Sequence, residues 1–204
     1  METVPAPTRE RILQAAGRLF HGEGIRAVSV DAVAAKAGVT KRTLYYHFRS
    51  KDDLIAASLE RRDQPNLAWF QRHYAQAEGD VAARIEALFG ALAAAALSAR
   101  WKGCGFLRTS VELVNLPGHP AMRAARAHKL RVEDWLCALF AGSGAPEDLD
   151  LATTRELARQ VMLLIDGAFA VVLLNRDASY MHSAGRAAGV LVRAARAPGR
   201  PTAA

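Results

Sequence analysis

Basic, hydroxyl-bearing and aromatic side chains are concentrated in one short stretch of the sequence, Thr40–Lys51. Lysine and arginine bind phosphates and guanine edges, threonine hydrogen-bonds to bases or phosphates, and apolar groups contact thymine methyls. In a helix these side chains would lie on one face, opposite the apolar Leu44 and Phe48. A short helix with such a face has the size and polarity that the major groove of DNA accepts.

The surrounding stretch, Val28–Lys51, has the pattern of two short helices joined by a tight turn, followed at once by a third. Ala34, Gly38 and Leu44 have the spacing of a helix-turn-helix. They supply a small residue at the crossing, a glycine for the positive-φ turn and an apolar anchor. The pattern therefore predicts a second helix held against the first with its polar face outward. The alternative is an ordinary helical hairpin with a solvated face.

Candidate helix caps support this interpretation. Ser29 and Thr40 each stand where an N-cap would begin a helix, with apolar residues placed as in a hydrophobic staple. Ser50 and Asp53 have capping-box spacing at the start of the third helix. Three helix starts in one stretch leave little room for other local structure.

The segment AVSVDAVAAKAGVTKRTLYYHFRSKDDL resembles the DNA-binding region of the TetR family of bacterial transcriptional regulators. The resemblance covers about Thr8 to Leu59. It is most specific where TLYYHF and a following lysine accompany the turn pattern. It implies that the second helix of the motif reads the major groove. The DNA-binding residues predicted on this basis are Ser29, Thr40, Lys41, Arg42, Thr43, Tyr45, Tyr46, His47 and Lys51.

The resemblance also implies a role for each of these residues. The polar residues 40–43 would lie at or near base edges and adjoining phosphates. Residues 45–47 would contact the DNA backbone or thymine methyls. Lys51 would bind a phosphate, and Ser29 would meet another with its hydroxyl and the helix N-terminus behind it.

The charge of the chain favours an anionic partner. The chain has 204 residues, a formal net charge of +7 and a pI of about 9.9. Residues 1–62 hold 11 Lys and Arg against 7 Asp and Glu, and the remainder holds 16 against 13. The basic excess is denser in the first 62 residues, as a DNA-binding head requires. A membrane-surface role would need a basic amphipathic helix without turn residues, and the sequence does not show one.

No cofactor or metal is predicted. Cys104 and Cys137 lie far apart and form no C-x-x-C pattern.

The first residues, METVPAPTRERI, lack the apolar core of a signal peptide, so we expect a cytoplasmic protein. The longest apolar-rich run, Val161–Leu174, spans 14 residues and predicts a buried helix too short to cross a bilayer.

Helical periodicity runs through the whole chain, so the expected fold class is all-α. An N-terminal three-helix head would contain the helix-turn-helix, and a linking helix would end before Pro65. The predicted domains are 1–62, which binds DNA and includes the linking helix, and 63–204, a larger helical body for ligand binding and dimerisation. Residues 141–150 form the clearest loop, before two final helices.

Those final helices are richer in apolar residues than a half-exposed surface helix needs, so something must cover them. Two helices from each of two subunits would do so as a four-helix bundle, which the resemblance also implies. A homodimer of this kind reads a palindromic operator in double-stranded DNA. The alternative is that the helices bury each other within a monomer.

The resemblance further implies a small-molecule effector bound among the middle helices. A mostly apolar or aromatic ligand held by one or two polar groups is expected, although core packing is the alternative for each candidate residue. Asp166 and Glu112 carry carboxylates on apolar helices, and each needs a partner for its charge. For Asp166 one alternative is a partner across the dimer bundle. Cys104 is also open to interpretation as a redox sensor. The candidates are Trp69, Phe70, His73, Phe89, Trp101, Cys104, Phe106, Arg108, Glu112, Met122, Trp135, Met162, Asp166 and Phe169.

The sequence thus predicts a ligand-responsive transcriptional regulator, more in keeping with a repressor that its effector releases from DNA. One alternative is a non-specific architectural DNA-binding protein, which would need a larger basic excess. The other is a helical enzyme. The chain has no Gly-rich phosphate loop, G-x-S-x-G elbow or paired metal ligands, so an enzyme is not predicted.

Overall fold

The computed structural model describes residues 6–142 and 149–196. Within these ranges every regular element is a helix, which confirms the all-α fold class. Most of the predicted 141–150 loop lies outside the described residues. In chain order the helices are α1 (Thr8–Glu23), α2 (Val30–Ala37), α3 (Lys41–His47), α4 (Lys51–Gln76), α5 (Val81–Ala96), α6 (Gly105–Glu112), α7 (Pro120–Ala141), α8 (Leu151–Asn175) and α9 (Ser179–Ala195).

The predicted helix end before Pro65 is wrong, because α4 continues through this residue to Gln76. A proline inside a helix removes one hydrogen bond and crowds the carbonyl of the residue four positions earlier, here Arg61. The cost is about 3 kcal/mol. Helix-forming sequence on both sides and buried anchors such as Leu54 and Phe70 offset this cost.

The chain divides into two compact units. The first contains residues 1–65 and Cys104–His128, and the second contains Asn66–Gly103 and Lys129–Ala204. The units differ from a simple cut along the sequence because α6 and the first part of α7 pack with the N-terminal residues. The functional division at residue 62 stays a prediction.

The core of the first unit surrounds α1. Its apolar stripe, with Ile12 fully buried, packs in one cluster with residues of α2, α3 and α4. Leu44 on α3 and Leu54 on α4 are likewise fully buried in this cluster. Phe106 of α6 completes the cluster together with small residues of α7. These contacts fix the helices that carry the turn motif.

Two sets of hydrogen bonds hold α6 in place within the first unit. The Glu112 carboxylate accepts the backbone N–H groups of Ile25 at 3.0 Å and Arg26 at 3.3 Å. In return the Arg26 guanidinium donates to the Glu112 carbonyl at 2.7 Å, and Arg108 donates to the His21 carbonyl at the same distance. The corner between α1 and α2 is therefore tied to α6 by charge-assisted hydrogen bonds.

A buried polar pair joins α4 to α7 in the same unit. Nδ1 of His128 lies 2.7 Å from a carboxylate oxygen of Asp63, and both residues are buried. Phe106 stacks on the His128 ring with centroids 3.7 Å apart. The contact satisfies polar groups that would otherwise be costly to bury.

In the second unit α5 and α9 approach closely because α9 carries glycines at the crossing. A Cβ on Gly185 would lie 2.7 Å from Cβ of Phe89, and one on Gly189 would lie 1.9 Å from Oε1 of Glu86. A larger residue at Gly185 would push the helices apart, whereas one at Gly189 would displace the Glu86 side chain.

Helix α8 is longer and more apolar than the 14-residue run suggested. It spans 25 residues, and an 18-residue window within it has a mean hydropathy of 1.9. The prediction that this region is too short to cross a membrane is therefore wrong by length and composition. The core helix of a soluble protein passes the same test, so the finding is weak evidence for a membrane span. Fully buried residues such as Val161 and Ile165 pack α8 into the second unit.

Candidate nucleic-acid interface

The turn between α2 and α3 has the geometry that its sequence predicts. Gly38 adopts the left-handed conformation, with φ of 65° and ψ of 42°, and ends α2. Its N–H and that of Val39 bond to carbonyls of the last turn, at 3.1 Å to Ala35 and 3.0 Å to Ala34. This satisfies carbonyls that a helix end leaves without partners.

The predicted caps are confirmed. The Ser29 hydroxyl accepts the N–H of Ala32 at 3.0 Å, and the Thr40 hydroxyl accepts that of Thr43 at 3.1 Å. Ser50 accepts the N–H of Asp53 at 3.0 Å. The Asp53 carboxylate is engaged differently from a reciprocal capping box, since it pairs with Arg49.

Arg11 fixes the turn from α1. Its guanidinium donates to the carbonyl of Ala37 at 3.1 and 3.3 Å and to the carbonyl of Gly38 at 3.0 Å. It thus caps the C-terminus of α2 across 26 residues of sequence. Sequence reasoning missed this role because no local pattern links Arg11 to the turn.

Helix α3 lies on the first unit through its apolar side. Leu44 is fully buried and Phe48 is 4% exposed. The opposite side is open to solvent, with Tyr46 86% exposed and Tyr45 44% exposed. Lys41 and Arg42 are exposed too, so α3 presents basic and aromatic groups on a supported helix.

Several of the predicted DNA-binding side chains contact one another. The hydroxyls of Thr40 and Thr43 lie 2.8 Å apart, and the rings of Tyr46 and His47 meet edge to face. Lys41 forms an ion pair with Asp31 of α2 at 3.0 Å, which raises the pKa of Lys41 mainly through the hydrogen bond. Asp31 is a second residue that sequence reasoning missed.

The other two predicted residues lie at helix starts. Ser29 is the exposed N-cap of α2, and Lys51 is the partly exposed first residue of α4. A hydroxyl or ammonium at a helix N-terminus, beside unsatisfied N–H groups, is suited to a phosphate. The site can therefore hydrogen-bond phosphates and base edges.

The fourteen candidate effector residues do not form one group. Five of them belong to the first unit, where Phe106, Arg108 and Glu112 have the structural contacts described above; the other two are Cys104 and Met122. The remaining nine belong to the second unit. Their placement supports the core-packing alternative for several members, and the assignment to an effector stays a prediction.

The aromatic members of the second unit form two clusters. Trp69 stacks on His73 with centroids 3.9 Å apart and meets Phe70 edge to face. Phe70 in turn lies 6.3 Å from Trp135. Trp101 and Phe169 form a separate pair at 6.0 Å.

Asp166 has an intramolecular partner. Its carboxylate lies 2.5 Å from Nζ of Lys129, and both side chains are about one quarter exposed. This satisfies the charge on α8 without a second subunit. Phe89 of α5 is fully buried, whereas Met162 is only partly buried.

The two cysteines lie in different surroundings. Cys104 is the partly exposed N-cap residue of α6, and Cys137 is buried, which raises the pKa of its thiol. Arg62 lies near Cys104, although burial lowers the pKa of this arginine. Across residues 6–142 and 149–196, no group of three or more His, Cys, Asp or Glu side chains is placed to hold a metal.

A capped, glycine-turned pair of helices with an exposed polar second helix defines a helix-turn-helix protein. The sequence profile of the family described as "Bacterial regulatory proteins, tetR family" matches residues 12–58, which include both helices of this motif. Residues 12–58 are therefore similar to the DNA-binding region of TetR-family regulatory proteins.

Individual relatives agree with this assignment. The chain is 38% identical over 71 residues to the HTH-type transcriptional regulator UidR of Escherichia coli K12, covering 35% of this chain and 36% of that protein. It is 34% identical over 86 residues to the HTH-type transcriptional repressor KstR2 of Mycolicibacterium smegmatis, covering 42% and 40%. The matched stretch thus spans little more than a third of these curated relatives.

A solved structure resembles nearly the whole chain. SCO4454, a TetR-family transcriptional regulator from Streptomyces coelicolor, superimposes with a TM-score of 0.76 and is 29% identical. The match covers 93% of this chain and 96% of that one. The likeness therefore extends from the helix-turn-helix to the helices that follow it.

Proposed function

We propose that this protein is a ligand-responsive, DNA-binding transcriptional regulator and not an enzyme. The observation that carries the proposal is the presentation of α3. Its apolar side is buried, its N-terminus is capped by Thr40, and Arg11 holds the preceding turn. A polar helix supported in this way can enter a major groove without first being ordered.

The proposed DNA contacts are the nine residues predicted from the sequence. Lys41, Arg42 and Thr43 serve as the base-reading group, since they stand at the N-terminal end of the exposed helix. Ser29 and Lys51 serve as phosphate contacts that set the register. The tyrosines and His47 extend the surface along α3.

The regulator acts as a homodimer through α8 and α9. Large apolar side chains on these helices support this part of the proposal: Leu163 is 72% exposed, Leu174 is 81% exposed and Val190 is 59% exposed. A two-fold packing of the helices would cover them and match a palindromic operator. Burial of the apolar face of α8 in the dimer would be consistent with a cytoplasmic protein.

Repression is the favoured outcome of DNA binding, and a small, largely apolar effector relieves it. The relative KstR2 is named a repressor, which supports this choice. The effector acts by binding more tightly to a conformation of the dimer in which the two DNA-binding domains do not fit the operator.

Selection of bound sequences from random DNA tests the proposal. We expect enrichment of one inverted repeat whose half-sites are about one helical turn or a multiple apart. Binding without enrichment would support a non-specific architectural protein instead. A variant lacking the polar face of α3, with Lys41, Arg42 and Thr43 all changed to Ala, is the control and should enrich nothing.

A further inference from the structure

A buried histidine connects two helix starts within the first unit. His119 immediately precedes α7, and its side chain is 5% exposed. Nδ1 accepts the backbone N–H of Ala121 at 3.0 Å, and Nε2 lies 3.2 Å from Oδ1 of Asp52, the second residue of α4. We propose that His119 is a positioning residue for DNA binding, because it fixes the first turn of α4 and with it the phosphate contact Lys51. This inference rests on the proposed function.

The backbone around His119 holds the ring in place. Its N–H donates to the carbonyl of Leu116 at 2.9 Å, and its carbonyl accepts the N–H of Met122 at the same distance. Pro120, the first residue of α7, has no N–H to satisfy. The Nδ1 atom thus serves the next N–H of the helix, that of Ala121, as the side chain of an N-cap residue does.

These contacts define which nitrogen carries the proton. Nδ1 must offer a lone pair to the Ala121 N–H, so the ring is neutral and its proton is on Nε2. Nε2 therefore donates to the Asp52 carboxylate, and the charge on the acceptor strengthens the hydrogen bond. Because the ring is neutral, replacing it with a neutral side chain leaves the charge of the protein unchanged.

The link acts on the part of α4 that is most exposed to fraying. Helix ends fray, and the first core residue of α4 is Leu54, which is fully buried. Before it, the Ser50 hydroxyl accepts the N–H of Asp53, and His119 holds Asp52, whose side chain is 59% exposed. Lys51 lies between Ser50 and Asp52 in the chain. A first turn that is already ordered lets Lys51 bind a phosphate at a lower cost in conformational entropy.

A double-mutant cycle with Lys51 tests the proposal, measured by fluorescence anisotropy on a duplex of random sequence. His119→Asn keeps an oxygen that can cap α7, but its shorter side chain does not reach Asp52. We expect it to weaken binding about two- to fivefold, the strength of an exposed ion pair. In the Lys51→Ala background the same substitution should cause no further loss, since the contact that His119 orders is already absent.

His119→Gln is the matched variant. Its amide can donate to Asp52 from near the position of Nε2, but it has no acceptor at the position of Nδ1. It should bind DNA like the wild type even where its melting temperature is lower. If thermal melting shows that His119→Asn does not fold, Asp52→Glu takes its place. That change keeps the charge at an exposed position and carries the carboxylate past Nε2, so the same coupling to Lys51 is expected.

Three results would overturn the proposal. The first is wild-type affinity in His119→Asn. The second is an equal loss with and without the Lys51 side chain, which would make His119 a residue of the general fold. The third is an equal loss in His119→Gln and His119→Asn, which would assign the effect to the cap of α7. Failure of the wild-type protein to bind any duplex would instead overturn the proposed function and this inference with it, so the two failures are distinguishable.

Discussion

The ammonium of Lys41 lies 3.0 Å from the carboxylate of Asp31, so the first residue of α3 is ion-paired to α2. The side chains are 53% and 66% exposed. In the proposed complex Lys41 faces DNA, and its ammonium must then leave or share the Asp31 carboxylate. Asp31 also places a negative charge beside the phosphates. The Asp31 carboxylate therefore competes with any anion that contacts the Lys41 ammonium. A poorly oriented contact with DNA is weakened by this competition more than a well-oriented one.

We expect Asp31→Asn to increase affinity for random DNA by about two- to fivefold, which is the strength of an exposed ion pair. Affinity for the selected operator should rise less, so the ratio of specific to non-specific binding falls. Fluorescence anisotropy on both duplexes measures this ratio.

Asp134→Asn is the matched control for charge, since it makes the same change at an exposed carboxylate of the second unit. It should leave the ratio unchanged. If both variants raise affinity equally on both duplexes, the effect is one of net charge and the assigned role of Asp31 is wrong.

Lys41→Ala should weaken binding to the selected operator about 10- to 100-fold, as expected for loss of a side chain that reads a base edge. Repeating the selection with the variant should also show relaxed preference at one position in each half-site. Equal loss on random DNA, with unchanged base preference, would instead assign Lys41 to a phosphate.

Lys51→Ala should behave differently, because a phosphate contact carries no sequence information. Binding should weaken by a similar factor on all duplexes. The slope of log affinity against log salt should fall by about one. A change in base preference with an unchanged salt slope would contradict this assignment.

The local features of the interface were predictable from sequence, and the long-range ones were not. Ser29, Gly38 and Thr40 act on residues within five positions, so their types and spacing predict the caps and the turn. Arg11 and Asp31 act across gaps in the sequence that no periodicity records. Pro65 shows the opposite failure, since packing along α4 overrides a strong local helix breaker.

The left-handed turn at Gly38 gives a stability prediction. Gly38→Ala should lower the free energy of unfolding by about 1 kcal/mol, since an L-residue at φ of 65° is strained. Urea denaturation of the full chain measures it. Gly17→Ala is the control, because Gly17 lies inside α1 with no atom within 4 Å of an added Cβ. That change should stabilise by roughly 0.5–1 kcal/mol. Equal effects of the two substitutions would contradict the conformational argument.

Arg11 gives the last prediction, which separates support of the turn from direct DNA contact. Arg11→Met keeps an apolar stem but removes the hydrogen bonds to the carbonyls of Ala37 and Gly38. We expect a loss of about 1–2 kcal/mol in unfolding free energy, because carbonyls at the end of α2 lose charge-assisted donors. Arg18→Met, at an exposed position on the same helix, should change it by less than about 0.5 kcal/mol. Operator affinity should fall with Arg11→Met while the salt slope stays the same, since the arginine acts through the turn. A lower slope with unchanged stability would make Arg11 a phosphate ligand instead.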